Sequence, residues 1–162
     1  MMTSSPAINI VNASWHDLGE LRSLESECFG QDAWPLLDLI GVLTMPRIIR
    51  LKAVTPDGKM IGFISGDPNP TEKIGWITTI GVLPAYRKQG VGRRLLDECE
   101  QRLRLPWVRL CVRSDNQSAL MMYKRAGYRH LKIWHSYYQD GQDAIVLEKE
   151  WANGNAHSGT PL

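Results

Sequence analysis

The chain has 162 residues, 43% of them hydrophobic, which suits one compact domain with an ordinary core. Nineteen basic against 17 acidic residues leave a formal net charge of +2, so there is no bulk electrostatic case for nucleic acid or a membrane surface. The three cysteines (Cys28, Cys99, Cys111) lack CxxC or Cys/His spacing, no apolar stretch reaches ~18 residues, and the start carries no basic-then-apolar leader; a disulfide framework, a metal site and a membrane span are not expected, and a cytoplasmic protein is.

In chain order, Ile8 to Ala13 reads as a strand. Ser14 or Asp17 can cap a helix whose apolar face holds Leu18, Leu21, Leu24 and Cys28. A second helix after Pro35 carries Leu36, Leu39, Ile40 and Leu43. Ile48–Val54 and Met60–Ser65 are strands joined through Pro56-Asp57-Gly58, a hairpin signal. Ile74–Leu83 is a β-branched run stopped by Pro84. From about Gln89 to Arg104 an amphipathic helix buries Val91, Leu95, Leu96, Cys99 and Leu103. Trp107–Arg113 is a short strand, Asn116–Ala126 a helix stopped by Gly127, and Tyr128–Tyr138 and Ala144–Glu150 pair across Asp140-Gly141. The order β-α-α-β-β-β-α-β-α-β-β predicts an α+β domain over residues 1–151, with one central sheet and helices on both faces. Residues 152–162, rich in Gly, Asn, Ser and Pro, read as a disordered tail.

The basic residues are concentrated: Arg87, Lys88, Arg93 and Arg94 surround Gln89-Gly90-Val91-Gly92, where a strand runs through a short loop into a helix. Backbone N–H groups at a helix N-terminus lie at the positive end of the dipole and suit phosphate oxygens. Two glycines let the backbone come close to them. A Walker loop is absent, and GxGxxG fails because Leu95 stands at the third glycine position.

What fits is Arg-x-x-Gly-x-Gly from Arg87 to Gly92, with Val82-x-Pro84 before it and a second block, Asn116-x-x-Ala119-x-x-x-Tyr123-x-x-x-Gly127-Tyr128, after the next strand. Together these resemble the GCN5-related N-acetyltransferase (GNAT) family over roughly Ile8 to Glu150. The resemblance implies a mixed, mostly antiparallel sheet of about seven strands with about four helices, and acetyl-CoA as cosubstrate without a metal. It also implies backbone contacts from Ile80 and Val82 to the pantetheine arm, a pyrophosphate cradle of Arg87, Lys88, Gln89, Gly90, Val91, Gly92 and Arg93, and a contact from Asn116. Tyr123 would sit beside the sulfur as general acid; the alternative is an ordinary helix residue packed on the sheet.

Tyr137-Tyr138-Gln139-Asp140-Gly141-Gln142-Asp143-Ala144 resembles the corresponding segment of enzymes that acetylate protein N-termini, including the ribosomal-protein-alanine type. Tyr137 and Tyr138, read as strand residues of opposite facing, would then hold the acceptor, with Phe29 and Trp34 as further wall residues; ordinary packing is the alternative for all four. The bacterial branch often carries glutamate where this chain has Cys111, within Leu110-Cys111-Val112-Arg113. A thiol near pKa ~8.5 is a poor base, so Cys111 reads first as a packed strand residue and second as a channel wall. His135 reads as an exposed histidine. An α-amine near ~8 is about a tenth neutral at pH 7, whereas lysine near ~10.4 needs roughly 3 kcal/mol more to deprotonate. The expected function is therefore acetyl transfer to a protein or peptide N-terminus, by a monomer or homodimer that binds neither nucleic acid nor membrane. The alternatives are acetylation of a small amine and a non-catalytic acyl-CoA-binding module.

Overall fold

A computed structural model describes residues 7–151; the tail expected at 152–162 lies outside them. Seven strands, β1 (Asn9–Asn12), β2 (Ile49–Val54), β3 (Met60–Asn69), β4 (Ile74–Val82), β5 (Trp107–Arg113), β6 (Arg129–Trp134) and β7 (Ala144–Glu150), form one sheet in the order β1-β2-β3-β4-β5-β7-β6. The β4·β5 pair is parallel, and β1·β2, β5·β7 and β6·β7 are antiparallel. Four α-helices accompany them: α1 (Leu18–Phe29), α2 (Leu36–Thr44), α3 (Val91–Leu103) and α4 (Gln117–Arg125). The order of strand and helix signals predicts this α+β arrangement, and the family resemblance implies its mixed, mostly antiparallel sheet. Among the described residues no helix is long and apolar enough to cross a membrane.

The chain divides into two compact units, 7–65 with 79–99, and 66–78 with 100–151. In the first, α1 is entered through a single 3-10 turn, Trp15–Asp17, where the Ser14 N–H donates to Asp17 Oδ2 at 2.8 Å. Asp17 also pairs with Lys52 of β2 at 2.7 Å. The helix ends at Gly30, whose φ of +54° is reached most easily without a Cβ. The short helix α2 buries Leu39, Val42 and Leu43, while Leu36 and Ile40 are 41% and 37% exposed. Six of its nine residues are large aliphatics, so its pattern names no single face. The β2–β3 hairpin turns through Gly58 N–H to Thr55 O at 2.9 Å. Strand β3 runs on to Asn69, beyond the expected end at Ser65, because its pairing with β4 overrides the local Gly66-Asp67-Pro68 break. Helix α3 buries Val91, Leu95, Leu96, Cys99 and Leu103, the five positions its periodicity predicts.

In the second unit β5 pairs with β7 along its whole length, with Cys111 opposite Val146 and Arg109 opposite Glu148. Glu100 is buried, and its carboxylate accepts from Lys149 Nζ at 2.8 Å and from the Tyr128 hydroxyl at 3.2 Å. Asn116 opens α4 by accepting the Ala119 N–H at 3.1 Å, and Gly127 closes the helix at φ +96°. Strand β6 is shorter than expected, so Tyr137 and Tyr138 are not strand residues. Ser136 takes φ +49°, its N–H turns to Asp143 Oδ1 at 2.9 Å, and the chain leaves the ladder. Both tyrosines stand in the β6–β7 connection, where the Tyr138 N–H donates to Gln142 O and the Gly141 N–H to Tyr138 O.

Candidate functional site

The basic loop belongs to the first unit. Pro84–Tyr86 form a 3-10 turn, Arg87 to Gly90 are all exposed, and α3 starts at Val91. Lys88 and Gly90 take positive φ values, +62° and +79°. Left-handed residues within a turn gather successive N–H groups into a concavity that attracts anions, and the N-terminal turn of α3 adds to it. Not every cation there points outward. Arg87 Nε donates to the Val82 carbonyl at 2.8 Å, Arg93 pairs with Asp97 at 3.0 Å, and Arg94 donates to Ile8 O at 2.8 Å. Arg87 is thus at once a charge on the loop and a brace on the end of β4.

That strand end is built around Gly81. Where its Cβ would stand, Cys28 Sγ, Leu24 Cδ2 and Phe29 Cε2 of α1 each lie 3.3 Å away. A Cβ there would be tight against these three side-chain ends, which would have to give by a few tenths of an ångström. Ile80 and Val82 flank Gly81 and stay half-buried. The Val82 carbonyl also accepts a long bond from Cys28 Sγ at 3.5 Å. Burial pushes the Cys28 thiol up, against the pull of Arg87.

Phe29 and Trp34 are half-buried at the two ends of the connection that leads from α1 to α2. Between them and β4 stands a residue that the sequence reading set aside. Glu25 is 1% exposed, accepts the Thr79 hydroxyl at 2.8 Å and accepts the Trp34 N–H at 3.4 Å. Burial raises its pKa, and these two hydrogen bonds pull it down. The signal was present in the helix pattern, since Glu25 follows Leu21 by four residues and so shares its buried face.

The remaining candidates lie in the second unit. Cys111 is half-buried on β5, and burial pushes its thiol up to about 11, with Lys132 pulling it down. Such a thiol stays protonated through the physiological range and is neither base nor nucleophile there. Tyr123 is 4% exposed and packs edge-on against Tyr128, ring centroids 5.8 Å apart. Burial raises its pKa well above the ordinary phenol value, so it keeps its proton. Asn116 is exposed at the start of α4, with its side-chain oxygen engaged as the cap.

Tyr137 and Tyr138 meet edge to face at 5.1 Å. Tyr137 also lies against Trp134 at 5.5 Å, and Trp134 stacks on Trp76 at 6.2 Å. The Arg113 guanidinium sits over the Tyr138 ring at 4.9 Å and pairs with Asp140 at 2.5 Å, which fastens the turn and holds the Asp140 carboxyl below its usual range. His135 is 80% exposed and lies 3.4 Å from Asp143. The sequence reading missed Trp76 and Trp134; they are far apart in the chain, and only the strand order brings their rings together.

Comparison with known proteins agrees with this geometry. The profile of the acetyltransferase (GNAT) family matches residues 16–128. The N-alpha-acetyltransferase RimI of Mycobacterium tuberculosis is 33% identical over 83% of this chain and 87% of its own length. The N-terminal acetyltransferase A complex catalytic subunit ard1 of Schizosaccharomyces pombe is 25% identical over 87% of this chain and 78% of its own. Among solved structures, the ribosomal-protein-S18-alanine N-acetyltransferase of Escherichia coli superposes with a TM-score of 0.79 at 25% identity, covering 89% of this chain and 94% of that one. This chain belongs to the GNAT family and is an N-acetyltransferase.

Proposed function

We propose that this GNAT acetyltransferase moves the acetyl group of acetyl-CoA to the N-terminal α-amine of a protein or peptide. The observation that carries this reading is Cys111, which replaces the carboxylate of the related bacterial enzymes with a thiol held near 11. An acceptor that is partly neutral at pH 7 can do without that base, whereas lysine cannot. The relatives named as N-alpha-acetyltransferases support the same acceptor.

The loop fits a polyanionic coenzyme. Lys88, Gln89, Gly90, Val91, Gly92 and Arg93 would hold the pyrophosphate, with Arg87 bracing them. Ile80, Val82 and Asn116 would meet the arm. The coenzyme supplies an acyl carbon activated as a thioester. The amine nitrogen would attack that carbon and the C–S bond would break; Tyr123 would give its proton to the sulfur, and the proton that nitrogen sheds to water would restore the tyrosine through solvent. A backbone N–H of β4 near Ile80 to Val82 is the donor proposed for the oxyanion. Phe29, Trp34, Tyr137 and Tyr138 are the proposed acceptor contacts. The work belongs in the cytoplasm, where new N-termini emerge, and needs no metal.

Thiol release from acetyl-CoA, measured with short peptides, their N-terminally blocked forms, spermidine and lysine, tests the reading. Turnover that vanishes on blocking supports it. Turnover with free small amines alone would overturn it.

A further inference from the structure

We infer that Glu25 is a positioning residue that sets the acceptor wall against the coenzyme-binding strand, so that it governs acceptor affinity without taking part in the chemistry. This rests on the reading just given. The carboxylate joins three pieces of the first unit: its own helix α1, Thr79 of β4 immediately before Ile80, and the backbone of Trp34 at the end of the α1–α2 connection.

Three features say that this is more than packing. A buried carboxylate is costly unless its oxygens are engaged, and an apolar residue of similar volume serves a purely structural site as well or better. Here the two oxygens meet one donor each, and neither donor is a cation. Burial therefore stands uncompensated by an ion pair, as at sites kept for function rather than for stability.

The Trp34 N–H is also outside any helix or strand. A single 3-10 turn, Gly30–Asp32, precedes it and closes through Ala33 N–H to Gly30 O, and Pro35 follows. Glu25 is what fixes the Trp34 amide, and with it the proposed wall. At the other oxygen, the Thr79 hydroxyl ties the same group to the strand whose next residues are the proposed coenzyme contacts. Remove the carboxylate and both donors lose their acceptor together, while the phosphate loop and α3 keep all their bonds.

The side-chain chemistry separates positioning from proton transfer. A glutamine at 25 can still accept the Trp34 N–H through its oxygen and donate its amide to Thr79 Oγ1, since a hydroxyl both donates and accepts. Glu25→Gln should therefore keep acceptor KM and kcat within about threefold, with the pH profile unmoved. Glu25→Ala should raise acceptor KM by about tenfold or more, the loss of a buried donor's partner, with kcat and coenzyme Kd little changed. Thr79→Val, nearly isosteric, should give a smaller rise in KM, and the double variant Glu25→Ala/Thr79→Val should be no worse than Glu25→Ala alone.

Loss of turnover in Glu25→Gln together with its acidic limb would make Glu25 a base and overturn the inference. So would an unchanged KM in Glu25→Ala, or a coenzyme Kd that rises in parallel with it. If Glu25→Ala does not fold, Thr79→Val decides by the same KM criterion. Failure of the parent reading looks different: the wild type would turn over no peptide. Backbone hydrogen exchange then decides, with protection lost at residues 30–35 of Glu25→Ala supporting the tether and unchanged protection overturning it.

Discussion

Cys111→Glu places a carboxylate where the family resemblance points to one, and its effect can be worked out from the surroundings of the thiol. The side chain is half-buried, and its β7 neighbour across the ladder is Val146, which in turn faces Lys132 on β6. Lys132 therefore stands on the same face, about 10 Å away by two strand spacings. It is the charge that acts on the thiol. Burial will raise the new carboxylate above the usual ~4.3, and Lys132 will limit the rise, leaving a base that is ionised at neutral pH. The wild type should discriminate between an α-amine near ~8 and a lysine amine near ~10.4 by roughly 250-fold, the ~3 kcal/mol of deprotonation that it does nothing to relieve. A general base contributes about 10²-fold or more, chiefly to the amine that is least neutral.

The ratio of kcat/KM for a peptide N-terminus over an Nα-blocked lysine peptide should thus fall to about ten or less in Cys111→Glu. Its pH profile should gain an acidic limb as the carboxylate is protonated. Cys111→Ala should keep wild-type activity within about threefold, since a thiol at about 11 carries its proton throughout the assay range. A thiol-release assay from pH 6 to 9.5 measures all three. The argument is refuted by a loss beyond tenfold in Cys111→Ala, or by an unchanged acceptor ratio in Cys111→Glu.

Tyr123→Phe keeps the edge-on contact with Tyr128 and removes only the proton. Turnover should fall by about 10²-fold or more while coenzyme affinity, read by calorimetry, changes less than about twofold; equal activity would remove Tyr123 from the mechanism. In the wild type, kcat/KM should rise with pH as the acceptor loses its proton and level off above about 8, with no falling limb below pH 9.5, because burial keeps the Tyr123 phenol protonated. Gly90→Ala places a Cβ at φ +79° with nothing within 4 Å to clash, so its cost is backbone strain of about 1–2 kcal/mol. Coenzyme affinity should weaken by about tenfold; an unchanged Kd would mean that the loop does not need that conformation. Lys149→Met leaves the buried Glu100 without its ammonium partner. Stability should drop by about 3 kcal/mol, near 10 °C in Tm by thermal denaturation, and Glu100→Leu in the same chain should recover most of it.

The legible parts of this protein were those whose physics is local. The basic glycine loop was readable as a turn into a helix because strand, turn glycine and helix start are consecutive, and the structure gives Lys88 and Gly90 left-handed backbone there. Asn116 as a helix start, Gly127 as its stop and the five buried positions of α3 follow from short-range periodicity and capping in the same way. Helix α2 was legible as a helix after Pro35, but nearly every side is aliphatic, so only packing chose its buried face.

Tertiary structure decided what depends on residues distant in the chain. Tyr137 and Tyr138 were read onto a strand, yet Ser136 turns the backbone off the ladder toward Asp143, and Arg113, 25 residues before Tyr138, then settles over its ring. Arg87 was legible as a cation, but not as the group that clasps the Val82 carbonyl. Glu25 lies in the first helix, in the region that the family resemblance puts near the acceptor, but nothing in the sequence singles it out for a role. Its meaning comes from Thr79, 54 positions away, and from a Trp34 amide that no regular element engages. By itself the sequence determined the fold class and marked the loop proposed to take the coenzyme's phosphates, because both are written in contiguous patterns. The surroundings of Cys111 and the anchoring of the acceptor wall were decided only by the folded chain, since a pKa and a tether are properties of neighbours that the sequence keeps apart.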